Sequence, residues 1–266
     1  MTVSTVLSAL RATTPLVHCM TNTVVPQITA NVLLAAGAAP AMIDLPEEAE
    51  IFAGVASALL INVGNGSAEQ HQGMRLAAAA AERAGTPWVL DPVAVGALPV
   101  RTQLARDLLA HRPAAIRANA SEILGLAGTT AGGRGVDSTD TADDALAAAR
   151  QLAADTGAVV AISGPTDVVV SQDRVTRITG GSAVMPLVIG TGCALGATVA
   201  AALGAIRDTD HSAHDAVVAA HALFSSAGSV AEQQTSAPGS FAVAWLDALH
   251  TLSADEATSL VTIEED

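Results

Sequence analysis

ALLINVGNGSAEQHQGMRLAAAAAERAG, residues 58–85, is the stretch whose reading decides the fold. The short apolar run at 58–63 breaks at Gly64-Asn65-Gly66. An alanine-rich helical pattern then runs from Glu69 to Ala84 and stops at Gly85. The order is strand, turn, helix, stop. The same unit recurs along the chain. Residues 86–90 run into Asp91-Pro92, residues 114–117 run into Asn119, Ser121 and Glu122, and residues 158–162 run into Ser163-Gly164-Pro165-Thr166-Asp167. Repeated strand–helix units imply an α/β fold, a mostly parallel sheet with helices on both faces. Residues 167–171 and 174–178, separated by Gln172-Asp173, read instead as a hairpin that adds an antiparallel edge. A helix is expected at 143–154, with acidic residues at its start and Gly157 beyond its end.

The 266 residues show no long linker, shift of composition or solenoid repeat, so a single domain spanning 1–266 is expected, with surface loops at 128–144 and 233–240. With no Tyr, three Phe, two Trp and a formal net charge of −14, the chain lacks stacking surfaces and would repel a phosphate backbone, which argues against a nucleic-acid partner. All twelve basic residues are arginine, which excludes a Walker lysine and Schiff-base chemistry. Cys19 and Cys193 form neither a disulfide framework nor a metal-ligand set. The N-terminus does not read as a secretory signal, and the uncharged span 185–206 carries a proline and several glycines, so it reads as loop plus buried helix rather than a membrane crossing. A cytoplasmic location is the default expectation.

Ligands of open parallel sheets bind outside the carboxyl ends of the strands, where this sequence collects Asn62, Asp91, Arg117, Glu122 and Ser163. Asp91 and Glu122 are hard oxygen donors suited to Mg²⁺, as phosphoryl transfer requires. The run Gly190-Thr191-Gly192-Cys193 opens an alanine-rich helix. Its N–H groups have two readings: an anion hole for a phosphate with a thiol beside it, or a tight turn at the head of a buried helix. A third use of the same N–H groups is an oxyanion hole for a cysteine-nucleophile hydrolase or acyltransferase built on Cys193, although no histidine partner can be placed by spacing. His211 and His214 share helical spacing among aspartates. The stretch 207–215 nonetheless reads as a solvated loop entering a helix rather than a metal site.

The ordered set Pro15-Leu16-Val17-His18, Thr21-Asn22, Gly37-Ala38, Pro40-Ala41-Met42, Ile61-Asn62-Val63-Gly64, Leu90-Asp91-Pro92-Val93, Arg117, Asn119, Glu122-Ile123, Gly135-Val136-Asp137-Ser138 and Gly190 to Cys193 resembles the hydroxyethylthiazole kinase family of the ribokinase-like superfamily over most of the chain. The resemblance implies a three-layer α/β/α ribokinase-like fold and ATP-dependent phosphorylation of the hydroxyl of methyl-hydroxyethylthiazole in thiamine salvage. A kinase for another small alcohol, such as a hydroxymethylpyrimidine, is the neighbouring possibility. The resemblance places Met42 and Gly190 against the substrate and Arg117 and Ser163 on ATP. It also places Asp91 and Glu122 near phosphate and Mg²⁺, and Cys193 where the wider superfamily carries an aspartate base. A homotrimer with the substrate site at the subunit interface is the implied assembly. Ser163 stands where the family usually has threonine, Ile189 where a threonine usually precedes Gly190, and Cys19 at a frequent asparagine. A helix N-terminus is expected to lower the Cys193 thiol from its usual value of about 8.5 toward neutrality.

Overall fold

The structure, a computed structural model, describes residues 2–128 and 142–266. Helix α1 (Thr2–Thr13) leads into β1 (Leu16–Met20), α2 (Pro26–Ala36), β2 (Ala39–Ala41), α3 (Pro46–Ala53), β3 (Ala58–Asn62), α4 (Ala68–Ala84), β4 (Trp88–Asp91), α5 (Pro99–Leu108), β5 (Ala115–Asn119) and α6 (Ala120–Ala127). After α7 (Ala142–Thr156) come β6 (Val159–Ser163), β7 (Thr166–Val170), β8 (Val175–Thr179), α8 (Thr191–Ala205), α9 (Ala213–Gln234), α10 (Pro238–Thr251), α11 (Ala254–Ser259) and β9 (Thr262–Glu265). The Gly135-Val136-Asp137-Ser138 motif and most of the loop expected at 128–144 lie outside the described residues.

The strands form one sheet in the order β2-β1-β3-β4-β5-β6-β7-β8-β9. The first six are parallel, so their carboxyl ends share one edge. The expected hairpin is β7–β8, and β7 is also antiparallel to β6. Strand β9, which the sequence reading did not anticipate, pairs antiparallel with β8. Half of its four residues are acidic and three are exposed, so they carry no buried alternation. Ion pairs from Arg174 to Glu265 and from Arg177 to Asp266 hold it at the edge.

Alternation along the strands builds a core on each face. On β3, Leu60 belongs to the core built with α1, α2, α8, α9 and α10, whereas Leu59 and Ile61 belong to the core built with α3 through α7. The outcome is a three-layer α/β/α arrangement. The helix ends follow local chemistry. Ser67 and Gln70 form a capping box at the start of α4, and Gly85 ends that helix in the left-handed region at φ +65°. The loop expected at 233–240 shrinks to a short junction, because α9 runs to Gln234 and α10 begins at Pro238. Among the described residues, no helix is long and apolar enough to cross a membrane.

The second half of α6 is held against the loop after β4 by a close backbone approach. A Cβ on Gly125 would lie 2.7 Å from Val95 O and 2.8 Å from Gly96 Cα. Gly125→Ala is therefore expected to destabilise the fold by about 1–3 kcal/mol through overpacking, read as a lower denaturation midpoint in urea. An unchanged midpoint would show that the loop after β4 gives way freely.

Candidate active site

Parallel register brings Asn62 beside Asp91, and Asn119 beside Ser163, on neighbouring strands. A chain of polar contacts crosses these ends. Asn62 Nδ2 donates to Asp91 Oδ2 at 2.6 Å, and Asn62 Oδ1 accepts from Gly64 N–H at 3.0 Å and from Asn22 Nδ2 at 3.1 Å. Asn22, just beyond β1, also reaches Cys193 Sγ at 3.4 Å. On the other side of Asp91, Arg117 Nη1 lies 3.9 Å from Asp91 Oδ1, while Arg117 Nε and Nη2 donate to Ser163 Oγ at 3.0 and 2.8 Å. Of the polar residues expected at the strand ends, Asn62, Asp91, Arg117 and Ser163 thus form one hydrogen-bonded and ion-paired chain.

The glycine-rich turn meets this chain at the head of α8. Gly190 adopts φ +87°, and a Cβ there would come within 2.5 Å of Ile28 Cγ2 and 3.0 Å of Val25 Cγ1, so only glycine fits. The first helical bond runs from Ala194 N–H to Gly190 O at 2.8 Å, which leaves the N–H groups of Thr191, Gly192 and Cys193 ahead of the ladder. The Arg117 guanidinium presses against this turn, because a Cβ on Gly192 would stand 2.9 Å from Arg117 Nη1. Helix dipole, free amides and a fixed arginine therefore converge on one spot that favours an anion.

Burial sets the protonation states. Asp91 is fully buried, which raises its carboxyl to about 7; Arg117 and the Asn62 hydrogen bond pull it down and Glu122 pushes it up. The same environment overturns the expected lowering of Cys193. Burial, then the neighbouring Asp91, push the thiol up to about 11, against the opposing pull of Arg117 and the two asparagine amides. Cys193 is a neutral thiol at neutral pH, and the side chain bonded to it is an amide, not a histidine.

Glu122 does a different job from a freely offered ligand. Its Oε1 accepts Ala94 N–H at 2.8 Å and its Oε2 accepts Asn119 N–H at 3.0 Å, while Asn119 Oδ1 accepts Glu122 N–H. This capping box ties the loop after Asp91 to α6. Asp91 Oδ1, by contrast, is buried without a hydrogen-bond partner among the described residues. Those residues contain no group of three or more His, Cys, Asp or Glu side chains that could hold a metal ion by itself.

Met42 lies just past edge strand β2 at the same edge of the sheet, with its side chain well exposed and outside the hydrogen-bonded chain. Its segment is anchored by His18, whose Nε2 bonds Ile43 O at 2.8 Å. Ile189 is also exposed, whereas Cys19 is a core residue with its thiol pushed up to about 12 by burial. The 207–215 stretch does enter a helix through the Ser212–Asp215 capping box, but His214 is not solvated as expected. It is buried between Thr176 Oγ1 and Ser171 Oγ, and burial with Arg174 nearby lowers it to about 4.

Asn22 entered the sequence reading only through the family motif, and His18 through that motif and as one of several scattered histidines. His18 lies within β1 and Asn22 just beyond it, a strand that periodicity alone does not mark out.

Comparison with known proteins identifies the family. A model of the hydroxyethylthiazole kinase family matches residues 7–255. A hydroxyethylthiazole kinase of Corynebacterium glutamicum (strain R) is 59% identical over 259 residues, which is 97% of each chain. One from Corynebacterium efficiens is 56% identical over 256 residues, 96% of this chain and 95% of its own. Among solved structures, a hydroxyethylthiazole kinase protein from Pyrococcus horikoshii OT3 is similar at a TM-score of 0.89 and 30% identity, covering 99% of this chain and 98% of that one. A pyridoxal kinase from Staphylococcus aureus, at a TM-score of 0.58 and 17% identity over 81% of this chain and 87% of its own, shares the fold alone. The chain has the ribokinase-like three-layer fold and belongs to the hydroxyethylthiazole kinase family.

Proposed function

We propose that this chain transfers the γ-phosphoryl group of ATP to the hydroxyl of methyl-hydroxyethylthiazole, with the head of α8 as the place where transfer occurs. The observation that carries this reading is the meeting of the free N–H groups of Thr191, Gly192 and Cys193 with the Arg117 guanidinium at the polar strand ends. Phosphoryl transfer through a loose transition state spreads negative charge over the equatorial oxygens, and fixed donors stabilise it without reorganising. Arg117, held by Ser163, binds the ATP phosphates. Met42 and Gly190 contact the thiazole.

Mg²⁺ is part of the proposal, and Asp91 is the side chain that fits it, because its carboxylate Oδ1 accepts no hydrogen bond among the described residues. Mg²⁺ is commonly held by one or two carboxylates with water and substrate phosphates supplying the rest, so a self-contained cluster is not required. Bound there, the ion would neutralise charge on the phosphates. Glu122 would act on the ion through its field or through water, since both its oxygens already accept backbone N–H groups.

Cys193 orients the alcohol rather than drawing its proton in advance. A thiol raised to about 11 supplies almost no thiolate at neutral pH, and in a loose transition state the alcohol is still protonated when the phosphoryl group arrives. The same protonation weighs against the cysteine-nucleophile reading. The homotrimer is proposed on the same footing: Val24, Met42, Leu45, Leu187 and Ile189 are exposed apolar residues on the segments that border this edge, where a second subunit would complete the substrate site.

Steady-state kinetics with ATP, Mg²⁺ and a panel of thiazole and pyrimidine alcohols tests the activity; turnover confined to a pyrimidine alcohol would reassign the substrate. Cys193→Ser is expected to lower kcat about tenfold with KM for ATP within about twofold, and unchanged kcat would reduce Cys193 to a packing residue. Arg117→Ala is expected to raise KM for ATP at least about tenfold, whereas an effect on the alcohol alone would misplace the nucleotide. Asp91 gives a stability test. Its carboxyl is raised to about 7 in the fold from 3.8, so the folded state holds the extra proton across that window and ligand-free stability falls as pH rises through it. Asp91→Asn removes this dependence. The melting temperature of the variant relative to wild type should therefore climb between pH 4.5 and pH 7.5, and a flat difference would mean that Asp91 is not strained by burial.

A further inference from the structure

His221 is the most unusual polar group outside the site. It lies in the middle of α9, is fully buried, and is flanked in sequence by Ala220 and Ala222. Its Nδ1 sits 2.7 Å from Asp167 Oδ2, and its Nε2 is buried without a hydrogen-bond partner among the described residues. A buried, half-satisfied imidazole costs stability that an apolar side chain would not. Helix packing alone therefore does not account for it.

Asp167 carries the connection forward. Its second oxygen, Oδ1, accepts the N–H of Gly164 at 2.9 Å, and Gly164 directly follows Ser163. Ser163 Oγ in turn accepts two hydrogen bonds from Arg117. The turn from β6 to β7 is therefore closed by a carboxyl group whose other oxygen is held from α9. Two turns further along α9, Ser229 Oγ accepts Gly181 N–H at 3.0 Å, so this helix also braces the segment after β8.

We propose that His221, acting through Asp167, is a positioning residue that sets the Ser163–Gly164 turn and thereby orients Arg117 for the nucleotide. This rests on the ATP-binding role given above to Arg117 and Ser163. His221 touches no substrate in this assignment. It fixes the rotamer of Asp167, which fixes the turn, which places the hydroxyl that holds the guanidinium against α8.

The test compares wild type, His221→Leu and His221→Asn by calorimetric binding of ADP, by KM for ATP and for the thiazole alcohol, and by thermal melting. Loss of a hydrogen bond to a carboxyl group predicts that His221→Leu weakens ADP binding and raises KM for ATP about tenfold, with KM for the alcohol within about twofold. His221→Asn, whose amide offers a donor near the Nδ1 position, should recover nucleotide affinity to within about threefold of wild type. Wild-type nucleotide affinity in His221→Leu overturns the proposal, as does equal loss in both variants or a parallel rise of both KM values. If His221→Leu does not fold, Asp167→Ala carries the same test, because it removes the acceptor for Gly164 N–H; nucleotide affinity retained there overturns the proposal equally. A wild-type protein that neither binds ADP nor turns over ATP would refute the kinase reading itself, a result separable from all of these.

Discussion

Small residues on the inward face of α8 let that helix lie directly on the sheet, and the site depends on this closeness. A Cβ on Gly196 would stand 3.2 Å from Leu60 Cδ1 and 3.4 Å from Asp91 Oδ2, and one on Gly204 would stand 3.1 Å from Ser57 Cβ. Larger side chains would lift the helix, and its N–H groups would no longer meet the strand ends. The alanine-rich composition of this segment is therefore a geometric requirement of the site as much as a core-filling choice. Gly190 completes the constraint by letting the chain turn against α2 immediately before the helix begins.

That closeness also sets the electrostatics. Asp91 is sealed beneath α8 with one arginine at its side, so burial outweighs attraction and its carboxyl titrates near neutrality. Cys193 shares the same desolvation and feels Asp91 besides, which overrides the pull of a helix N-terminus on a thiol. Asn22 and Asn62 join the two ionisable groups through uncharged amides. They satisfy polar atoms and fix geometry without adding a charge that would compete with Arg117.

The parts of the fold that were legible in sequence are those where a period changes at a glycine. Residues 58–85 read correctly as strand, turn and helix because β3 is wholly buried and α4 is one-sided and capped by Ser67 and Gly85. Strand β9 was illegible because acidic, exposed residues carry no alternation, and what holds it, Arg174 and Arg177, is distant in sequence. At the site, Asp91 and Ser163 were legible as polar strand tips, and Arg117 as a polar residue of β5, which runs on to Asn119. The capping task of Glu122 went unread, although Asn119-Ala120-Ser121-Glu122 carries the spacing of a capping box. The ionisation of Cys193 and the burial of His214 were beyond reach, since both depend on what packs around them in three dimensions.

A chain of formal net charge −14 that receives a polyphosphate must make its attraction local. Lysine, absent from this sequence, would place a mobile point charge on a long stem. Backbone N–H groups at the head of α8 are already immobilised by the helix, and Arg117 is locked by two hydrogen bonds to Ser163. Donors ordered before substrate arrives lose little freedom when the phosphate binds, and they need not reorient as charge shifts from nucleotide to alcohol. A net negative chain repels an anion overall, so on the proposed reading donors gathered at one spot supply the local attraction.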